Sequence, residues 1–570
     1  MNKMTCREKI LSQDYWDFIL PGDRGKMADN IPENSYCRQQ MDFGYESVSV
    51  DKSLLSPLNI EEYWYNSIPN CYTLLDSTGT NNDALNSAGI LQVQNYPTLR
   101  LMGEGVMIGF LDTGIDYRNP VFQNIDGSTR IAGLWDQTIQ TGNAPKAFDY
   151  GSEYREEMLN EALRSEDPLS IVPTTDTNGH GTYLASIAAG NADVNTQFLG
   201  AAPEAILGIV KLKEAKNYLR DFYLIREDAV CYQENDIMLG IAFAVRMARK
   251  MGMPVSVCLG LGTSQGAHIG DSELSRYLNY INEDSNVSVS VAAGNEGVAQ
   301  HHFTADLSVE NSQETAELRV AEGEEGFYME FWGNPPDEYS ISVQSPIGEI
   351  LYVSSSLGAG TQQLFFIFTE TRVLVNYVGM ERTTGKQLVY FRFFHPAPGI
   401  WKIHVTRQEG SGSRFHMWLP VQGLISADTY FLQSTPYNTV TAPGDSVRSI
   451  TATAYQYRDN SLFYQAGRGF TPDNQVTPDL AAPGVNLLIP LRGGGFGTGS
   501  GSSLAAAITA GAAALMLEWA IVRGNIPYAS GNIVKYALQK GADRDENVNY
   551  PNPGWGYGRL DLYHTFEILK

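Results

Sequence analysis

Residues 497–511, GTGSGSSLAAAITAG, place two consecutive serines between a glycine-rich loop and an apolar run. Glycine allows the backbone to turn sharply and lets a substrate approach closely. The apolar run after Ser503 predicts a buried helix, whose first turn would offer unpaired N–H groups to a developing negative charge. Because serine is also a common helix N-cap residue, the same stretch fits a structural role. Motifs elsewhere in the chain are needed to choose between these two roles.

Three other motifs place a polar side chain beside glycines at the end of a strand or the start of a helix. Asp112 follows the apolar run of GVMIGFLDTGID (105–116), although an Asx-turn or a helix cap would also explain it. His180 lies in TNGHGTYLASIAAGN (177–191), where a small-residue helix begins. Asn295 follows the apolar strand of VSVSVAAGNEG (287–297). Open α/β sheets place their sites at such positions.

Together these residues provide the groups that acyl transfer requires. A serine becomes a strong nucleophile when a histidine takes its proton, and a carboxylate holds that histidine in the correct tautomer. An amide such as that of Asn295 can donate a hydrogen bond to the tetrahedral oxyanion. The order Asp112, His180, Ser503 is one of the known chain orders of this triad. The pattern therefore predicts a serine hydrolase.

The motifs resemble those of the subtilisin-like serine peptidases (subtilases, peptidase family S8). IGFLDTGID resembles the aspartate motif, NGHGTYLASIAAG the histidine motif, AAGNEG the oxyanion asparagine and GSSLAAAITAG the serine motif. LGAAPEA (199–205) and TPDLAAPGVNL (477–487) match two further segments of the family. The resemblance covers about 100–300 and 435–565. It implies that Asp112, His180 and Ser503 are catalytic and that Asn295 is the oxyanion donor.

The serine motif departs from the family pattern at two positions. Ser502 stands where the family usually has threonine, and Ala507 where it usually has proline. The double serine leaves a choice of register. Aligning Gly501 and the following Leu-Ala-Ala-Ala makes Ser503 the nucleophile, whereas Ser502 would fit only if the motif slipped by one residue.

The resemblance also implies that backbone of two segments lines the substrate cleft, so that an extended peptide could pair with them as an added strand. Gly260 stands where relatives often carry serine, which makes its own contact with substrate an open point. The implied substrate-binding residues are Leu259, Gly260, Leu261, Gly262, Ala292, Ala293 and Gly294.

Hydrophobic periodicity predicts the fold class. Strands and helices alternate over 105–297, which indicates a doubly wound, mainly parallel α/β sheet with helices on both faces. The acidic, amphipathic residues 116–175 are expected to form a surface excursion with one helix. Short, aromatic and β-branched strands then recur every 8–12 residues, which predicts an inserted antiparallel β-sandwich of the jelly-roll type.

These patterns divide the chain into four parts: an N-terminal segment (1–95) that is a candidate prodomain, the first part of the catalytic domain (96–302), the inserted sandwich (303–432) and the second part of the catalytic domain (433–570). Among subtilases, the position of the insertion most resembles the Csp germination proteases of clostridia. That resemblance implies a prodomain, self-processing and cleavage of the pro-form of a cortex-lytic enzyme.

Composition limits the partners. A net charge of −24 argues against a nucleic-acid partner. The family resemblance implies a polypeptide substrate and makes the chain's own N-terminal segment a candidate partner. No stretch is expected to approach the ~20 apolar residues of a membrane span. The first 21 residues lack an apolar signal region, so we expect a soluble protein that is cytoplasmic or spore-associated.

The five cysteines are sparse and show no CxxC spacing, which predicts reduced thiols and no zinc site. No metal-ligand spacing such as HExxH occurs, so the chemistry is expected to require no cofactor, with structural calcium left open.

The leading hypothesis is a serine endopeptidase that works through an acyl-enzyme and processes its own N-terminus. The alternative is a catalytically silent binding or regulatory protein with a subtilase fold, because Csp-type families include inactive members. A third hypothesis, an esterase of another fold, requires Gly-x-Ser-x-Gly after a strand and a histidine last in the chain. The serine stretch GTGSGSS does not have that spacing, and His180 precedes the serines.

Overall fold

A computed structural model describes residues 4–21, 31–74, 82–193, 195–308, 310–355, 360–410, 412, 414–491 and 494–569. The stretch 76–90 is rich in Gly, Asn, Ser and Thr, which predicts an exposed link, and it is described only from residue 82. The glycine-rich approach to the serines (492–499) is described only from residue 494.

The first 95 residues contain short helices and strands. They are α1 (Cys6–Leu11), β1 (Tyr15–Leu20), β2 (Tyr36–Gln40), β3 (Glu46–Asp51), β4 (Cys71–Leu74), α2 (Asn82–Ser87) and α3 (Ile90–Asn95).

Alternating strands and helices follow. They are β5 (Met107–Asp112), β6 (Ile131–Asp136), β7 (Ser152–Arg155), α4 (Glu156–Arg164), α5 (Pro168–Ile171), α6 (His180–Ala189), β8 (Ile206–Lys211), α7 (Asn217–Phe222), β9 (Tyr232–Gln233), α8 (Glu234–Met251), β10 (Val255–Leu259), β11 (Leu261–Gly262), α9 (Glu273–Glu283) and β12 (Val287–Ala292).

The next eleven elements are all strands. They are β13 (His302–Asp306), β14 (Gln313–Val320), β15 (Gly326–Gly333), β16 (Glu338–Gln344), β17 (Ile350–Tyr352), β18 (Thr361–Phe366), β19 (Thr371–Val378), β20 (Gln387–Phe394), β21 (Gly399–Glu409), β22 (Arg414–Trp418) and β23 (Tyr430–Phe431).

The last part returns to mixed structure. It contains β24 (Ile450–Gln456), β25 (Ser461–Leu462), β26 (Leu480–Pro483), β27 (Leu487–Pro490), β28 (Phe496–Gly499), α10 (Ser502–Leu517), a short π-helix (Glu518–Val522), α11 (Gly531–Gly541) and α12 (Leu562–Ile568).

The predicted doubly wound sheet is present. Its strand order is β25-β24-β12-β10-β5-β8-β6-β7, with β26 paired to β24. The pairs of the central strands are parallel, and only β7 and β25 pair antiparallel at the two ends. One apolar core, containing α6 and α10, covers one face of the sheet, and a second core, containing α8 and α9, covers the other. We call this sheet and its helices the α/β body.

The inserted strands form two antiparallel sheets that face each other across an apolar core. Their orders are β13-β22-β15-β20-β19-β18 and β17-β16-β21-β14-β23. The core between them is aromatic and aliphatic, with Phe331, Trp401 and Phe415 fully buried. This confirms the inserted antiparallel sandwich, and its jelly-roll connectivity stays a prediction.

The expectation of a surface excursion over 116–175 is wrong in part. Residues 131–136 form β6, which pairs in parallel with β8 inside the main sheet, and residues 152–155 form β7 beside it. Ile131 and Leu134 are fully buried. The acidic stretch after β7 forms α4, and the short helix α5 follows, so the region holds two helices.

The N-terminal segment packs onto the α/β body. Strands β1, β3 and β2 form a small antiparallel sheet. Strand β4 lies outside this sheet. It pairs antiparallel with two strands of the body, β9 on one side and β11 on the other. Helices α2 and α3 pack in the same apolar core as α6 and α10. The boundary at residue 95 stays a prediction.

A buried carboxyl group joins three parts of the molecule. Glu330 of the sandwich accepts hydrogen bonds from the Tyr65 hydroxyl of the N-terminal segment (2.7 Å) and from the Gly266 amide of the body (3.0 Å). Burial raises the pKa of Glu330 to about 7. The insertion therefore contacts both the N-terminal segment and the body.

The prediction of reduced thiols is wrong for two of the five cysteines. Cys6 and Cys37 form a disulfide that links α1 to β2, with Cα atoms 5.4 Å apart. Packing of α1 against the first sheet brings the two residues together, although 31 positions separate them in sequence. Cys71, Cys231 and Cys258 are free and buried.

The expectation that no apolar stretch reaches membrane-spanning length is also wrong for one helix. Within the described residues, Ser502–Val522 is long and apolar enough by length and composition, with a mean hydropathy of 1.8 in its most apolar window. However, 83% of that window is buried inside the protein, where α10 packs against the central strands. A buried core helix can be as long and as apolar as a membrane span, so this helix is weak evidence for one.

Candidate active site

The structure brings Asp112, His180 and Ser503 together from three elements. Asp112 is the last residue of β5, His180 is the first residue of α6, and Ser503 is the second residue of α10. The two helices lie side by side on the same face of the sheet. This arrangement places a carboxylate, an imidazole and a hydroxyl at one edge of the sheet.

Hydrogen-bonding distances link the three side chains in a line. The Nδ1 atom of His180 lies 2.9 Å from each carboxylate oxygen of Asp112. The Nε2 atom of the same ring lies 3.3 Å from the hydroxyl oxygen of Ser503. The carboxylate fixes the proton on Nδ1, so that Nε2 can accept the serine proton. All three residues are buried.

Asp176 fixes the start of α6, and the sequence analysis missed it. Its carboxylate accepts hydrogen bonds from the amides of Gly179 (2.7 Å) and Thr182 (3.0 Å) and from the Thr182 hydroxyl (2.7 Å). These amides belong to the first turn, which has no intrahelical acceptors. An aspartate four residues before the histidine is the only sequence signal for this role.

A close approach of backbones explains the glycine after His180. A Cβ atom on Gly181 would collide with the Gly114 carbonyl oxygen and lie 3.1 Å from the Cβ of Asp112. The Gly181 amide donates to the Thr113 hydroxyl (2.9 Å), and the Thr113 amide donates to Asp112 (2.7 Å). The loop after β5 and the start of α6 are thereby held together.

The two serines have different surroundings. The Ser503 hydroxyl lies beside His180, whereas the buried Ser502 hydroxyl has no hydrogen-bond partner among the described residues. The Ser502 amide donates to the side-chain oxygen of Asn295 at 3.1 Å. This bond orients the Asn295 amide at the start of α10. The geometry therefore favours Ser503 as the nucleophile.

Two titratable groups near Asp112, the Cys258 thiol and the Tyr232 hydroxyl, have raised pKa values and stay protonated. Burial, with a smaller contribution from the nearby Asp112 charge, raises the pKa of the Cys258 thiol well above its usual range. The same two causes, in the same order, raise the pKa of the Tyr232 hydroxyl. Neither Cys258 nor Tyr232 therefore adds a negative charge beside the Asp112 carboxylate that contacts His180.

The first predicted cleft segment is paired with the N-terminal segment. Leu261 lies opposite Leu74 and Gly262 opposite Thr73, in an antiparallel pair. Gly260 lies next to the triad, because a Cβ atom built on it would be 3.1 Å from both His180 Cε1 and Ser503 Cβ. Leu259 ends β10 and is buried. A polypeptide segment that pairs antiparallel with β11 therefore runs toward Asp112, His180 and Ser503.

The second predicted cleft segment has internal partners. The Ala293 amide donates to the Ala452 carbonyl (3.0 Å), and its carbonyl accepts from Thr441 (3.1 Å). The Gly294 carbonyl accepts from the Gly467 amide (2.8 Å). Ala292 packs against Ala506 of α10. These residues border the site, but hydrogen bonds to Ala452 of β24 and to loop residues Thr441 and Gly467 occupy much of their backbone. Their role in substrate binding stays a prediction.

One group of potential metal ligands occurs among the described residues, namely Cys6, Cys37 and Asp149. The two cysteines are bonded to each other, and the group lies in the N-terminal segment and the loop before β7. The expectation that the chemistry requires no cofactor, like the question of calcium, stays untested.

Comparison with protein families agrees with the motifs. The profile described as Subtilase family matches residues 103–355 and 431–558. The matched ranges contain Asp112, His180, Asn295 and Ser503, and most of the inserted sandwich lies between them.

Comparison with solved structures finds a similarity that covers most of the chain. The structure of the Clostridium perfringens CspB protease is similar, with a TM-score of 0.76 and 31% sequence identity. The alignment covers 86% of this chain and 98% of that one.

Curated relatives match over shorter stretches. A subtilisin-like protease of Arabidopsis thaliana, SBT3.6, is 28% identical over 145 residues, which are 24% of this chain and 18% of the relative. Another from the same plant, SBT2.3, is 33% identical over 129 residues, or 20% and 15% of the two chains. The chain thus matches less than a fifth of the length of these relatives.

Proposed function

The chain belongs to the subtilase family, and on that basis we propose that it is a serine endopeptidase whose catalytic triad is Asp112, His180 and Ser503. The observation that carries the proposal is the continuous contact from carboxylate to imidazole to hydroxyl, with distances of 2.9 Å and 3.3 Å. The substrate is a polypeptide, because the strand that leads to the triad offers backbone hydrogen bonds to an extended chain.

The proposed reaction has two halves. His180 removes the proton of Ser503 as the hydroxyl oxygen attacks the scissile carbonyl, and Asp112 stabilises the resulting imidazolium. The imidazolium then protonates the leaving amine, which leaves an acyl-enzyme on Ser503. Water, activated by the same histidine, hydrolyses that ester and restores the serine.

Asn295 is proposed to stabilise the oxyanion. Its side-chain oxygen is engaged by the Ser502 amide, so its NH₂ group is the part of the side chain that can donate to substrate. The backbone amide of Ser503, in the first turn of α10, is the second proposed donor. Both donors are fixed before substrate binds, which is the condition for strong stabilisation of developing charge.

We expect Asn295→Ala to lower kcat by about 10²–10³-fold while changing KM little, as removal of one oxyanion donor does in other hydrolases. Steady-state hydrolysis of a peptide substrate measures both constants. Gln422→Ala is the matched control, because Gln422 donates to the backbone carbonyl of Asn295 (3.0 Å) and not to the side chain. An equal loss in both variants would contradict the oxyanion role.

Self-processing is the second part of the proposal. Its support is the pairing of β4 with β11, since an antiparallel segment at this edge occupies the position expected for substrate. The pairing of Leu74 with Leu261 directs the chain toward Gly260 and the triad. We therefore place the cleaved bond among residues 75–81, which lie outside the described part of the chain.

A buried ion pair is proposed to hold the N-terminal segment after cleavage. Asp17 of β1 is 1% exposed and lies 2.9 Å from the Lys216 ammonium group of the body. The same carboxylate accepts from Gln233 of the body (2.8 Å) and from Ser49 (2.5 Å). Lys216 is equally buried, so it depends on Asp17 for its counter-charge.

We expect Asp17→Ala to weaken retention of the cleaved segment by about 3–5 kcal/mol, because an unpaired ammonium group stays buried. Gel filtration of the processed protein would show the segment lost from the body. Asp14→Ala is the control, because the Asp14–Lys52 pair is exposed and lies within the segment itself. Retention as strong as in the wild-type protein would contradict the anchoring role.

Labelling by a fluorophosphonate tests the peptidase proposal. We expect the probe to form an adduct on the peptide that contains Ser503 and to inhibit hydrolysis of a peptide library. The Asp17→Ala variant should react faster, because its cleft is less often occupied by β4. If neither protein were labelled nor hydrolysed any peptide, the alternative of a catalytically silent binding protein would replace the proposal.

A further inference from the structure

Two free cysteines face each other where the N-terminal segment meets the body. Cys71 is the first residue of β4, and Cys231 directly precedes β9. Strands β4 and β9 pair antiparallel, with Cys71 opposite Gln233 and Tyr72 opposite Tyr232. Cys231 is therefore diagonal to Cys71 across the pair. Both thiols are buried and hydrogen-bond to one another.

A guanidinium group lies against one of the two thiols. Arg220 Nη1 is 3.4 Å from the Cys231 sulfur. The same side chain donates to the carbonyls of Ala229 (2.9 Å), Arg226 (2.8 Å) and Glu227 (2.8 Å), so its position is fixed. A fixed cation beside sulfur favours the thiolate, which is the reactive form of cysteine.

The two thiols therefore differ in character. The hydrogen bond from Cys71 lowers the pKa of Cys231, with Arg220 adding to the effect and burial opposing it. Burial raises the pKa of Cys71, and the contact with Cys231 raises it further. Glu214 and Glu234, the nearby acids, act against ionisation of Cys231 and Cys71 respectively. Cys231 is the better nucleophile and Cys71 the resolving thiol.

We propose that Cys71 and Cys231 form a reversible disulfide that locks β4 onto the α/β body. With a peroxide as oxidant, the Cys231 thiolate attacks a peroxide oxygen and becomes a sulfenic acid, while the other oxygen leaves and takes up a proton. The Cys71 sulfur then attacks the sulfenic sulfur, and its proton and the hydroxyl leave as water. A dithiol reverses the reaction by thiol–disulfide exchange.

The other cysteines cannot form this link. Cys6 and Cys37 are bonded to each other inside the N-terminal segment, so their disulfide does not join the segment to the body. Cys258 is buried in β10, and burial raises the pKa of its thiol. Only the Cys71–Cys231 pair connects the strand at the cleft to the body.

The consequence of the lock rests on the proposed function. While β4 is bonded to the body, the edge of β11 that substrate requires stays occupied even after the chain has been cut. A covalent tether keeps the local concentration of the segment at about the millimolar level or above, so substrate cannot compete. Reduction would leave the segment held only by non-covalent contacts such as the Asp17–Lys216 pair, so that substrate could compete for β11 and the activity would depend on the redox state.

Peptide mapping tests the bond without requiring activity. In the uncut Ser503→Ala protein, trypsin gives the peptides 53–100 and 227–246, which contain Cys71 and Cys231 as their only cysteines. After treatment with hydrogen peroxide and digestion without reductant, we expect one linked species whose mass is the sum of the two peptides less two hydrogens. Full alkylation of both cysteines after unfolding, with no linked species, would overturn the proposal.

Electrophoresis without reductant tests the lock in the processed wild-type protein. We expect peroxide to keep the N-terminal fragment with the body in one band, dithiothreitol to separate them, and peptide hydrolysis to rise about 10²-fold or more on reduction. In a denaturing gel, Cys71→Ser and Cys231→Ser should show the fragment and the body as separate bands under both conditions, whereas Cys258→Ser should behave like the wild type. Oxidised protein that hydrolyses peptides as fast as reduced protein would refute the regulatory part.

The two experiments separate failure of the lock from failure of the proposed function. A linked peptide in Ser503→Ala together with an uncut, inactive wild-type protein would leave the disulfide standing and remove self-processing. A cut and active wild-type protein without the linked peptide would leave self-processing standing and remove the disulfide.

Discussion

Replacing Ser503 by alanine is expected to lower kcat for peptide hydrolysis by about 10⁶-fold, the loss seen when the nucleophile of such a triad is removed. The Ser503 hydroxyl oxygen lies 3.3 Å from His180 Nε2. Because the side chain is small and buried, its removal should leave the fold intact. Hydrolysis rates and fluorophosphonate labelling should both fall to background.

Ser502→Ala is the matched control for this variant. It removes a hydroxyl of the same size, one position earlier on the same helix, which has no hydrogen-bond partner among the described residues. We expect it to retain labelling and most of the hydrolysis. If Ser502→Ala lost activity while Ser503→Ala kept it, the register of the serine motif would be wrong by one residue.

The second largest effect is expected for Asp112→Asn, which should lower kcat by about 10⁴-fold. The carboxylate accepts the Nδ1–H of His180 at 2.9 Å. An amide in its place can donate to Nδ1, which moves the ring proton to Nε2. A protonated Nε2 can no longer accept the proton of Ser503. The measurement is peptide hydrolysis at neutral pH, together with the melting temperature.

Asp116→Asn is the control for the loss at Asp112. Asp116 lies in the same loop, but its carboxylate pairs with Arg118 at 2.9 Å and not with the histidine. We expect near wild-type hydrolysis from this variant. A loss of only a few fold in Asp112→Asn, or an equal loss in both, would show that Asp112 does not orient His180.

The parts of the site that the sequence could predict share a local signature. Asp112, His180 and Ser503 each lie at the end of a strand or the start of a helix, and nearby glycines allow the backbones to approach. Those features follow from neighbouring residues, so the motifs can be recognised without knowing the fold. The parallel sheet could be predicted for the same reason, because its buried strands are continuous apolar runs.

The pairing of β4 could not be predicted in this way. CYTL (71–74) is short, and nothing in its sequence distinguishes a strand that pairs with β11 and β9 from any other short apolar run. Its partners are more than 150 residues away in the chain. The Cys6–Cys37 disulfide has the same origin, because packing of α1 on the first sheet creates it.

Strand β6 was missed for a different reason. The segment RIAGLWD (130–136) is apolar, but polar loops and an acidic helix surround it and dominate the sequence pattern of the region. The position of β6 next to β8 depends on a long-range parallel pairing. Asp176 was missed because a helix-capping carboxylate has no periodic pattern to reveal it.

The intact masses of the wild-type protein and Ser503→Ala, expressed and purified side by side, test the central claim most directly. The claim predicts two wild-type masses that add up to the full chain plus one water, with the break among residues 75–81, and a single full-length mass for Ser503→Ala. The same cleavage state in the two proteins, whether both cut or both intact, would contradict the claim that Ser503 is the nucleophile of a self-processing peptidase.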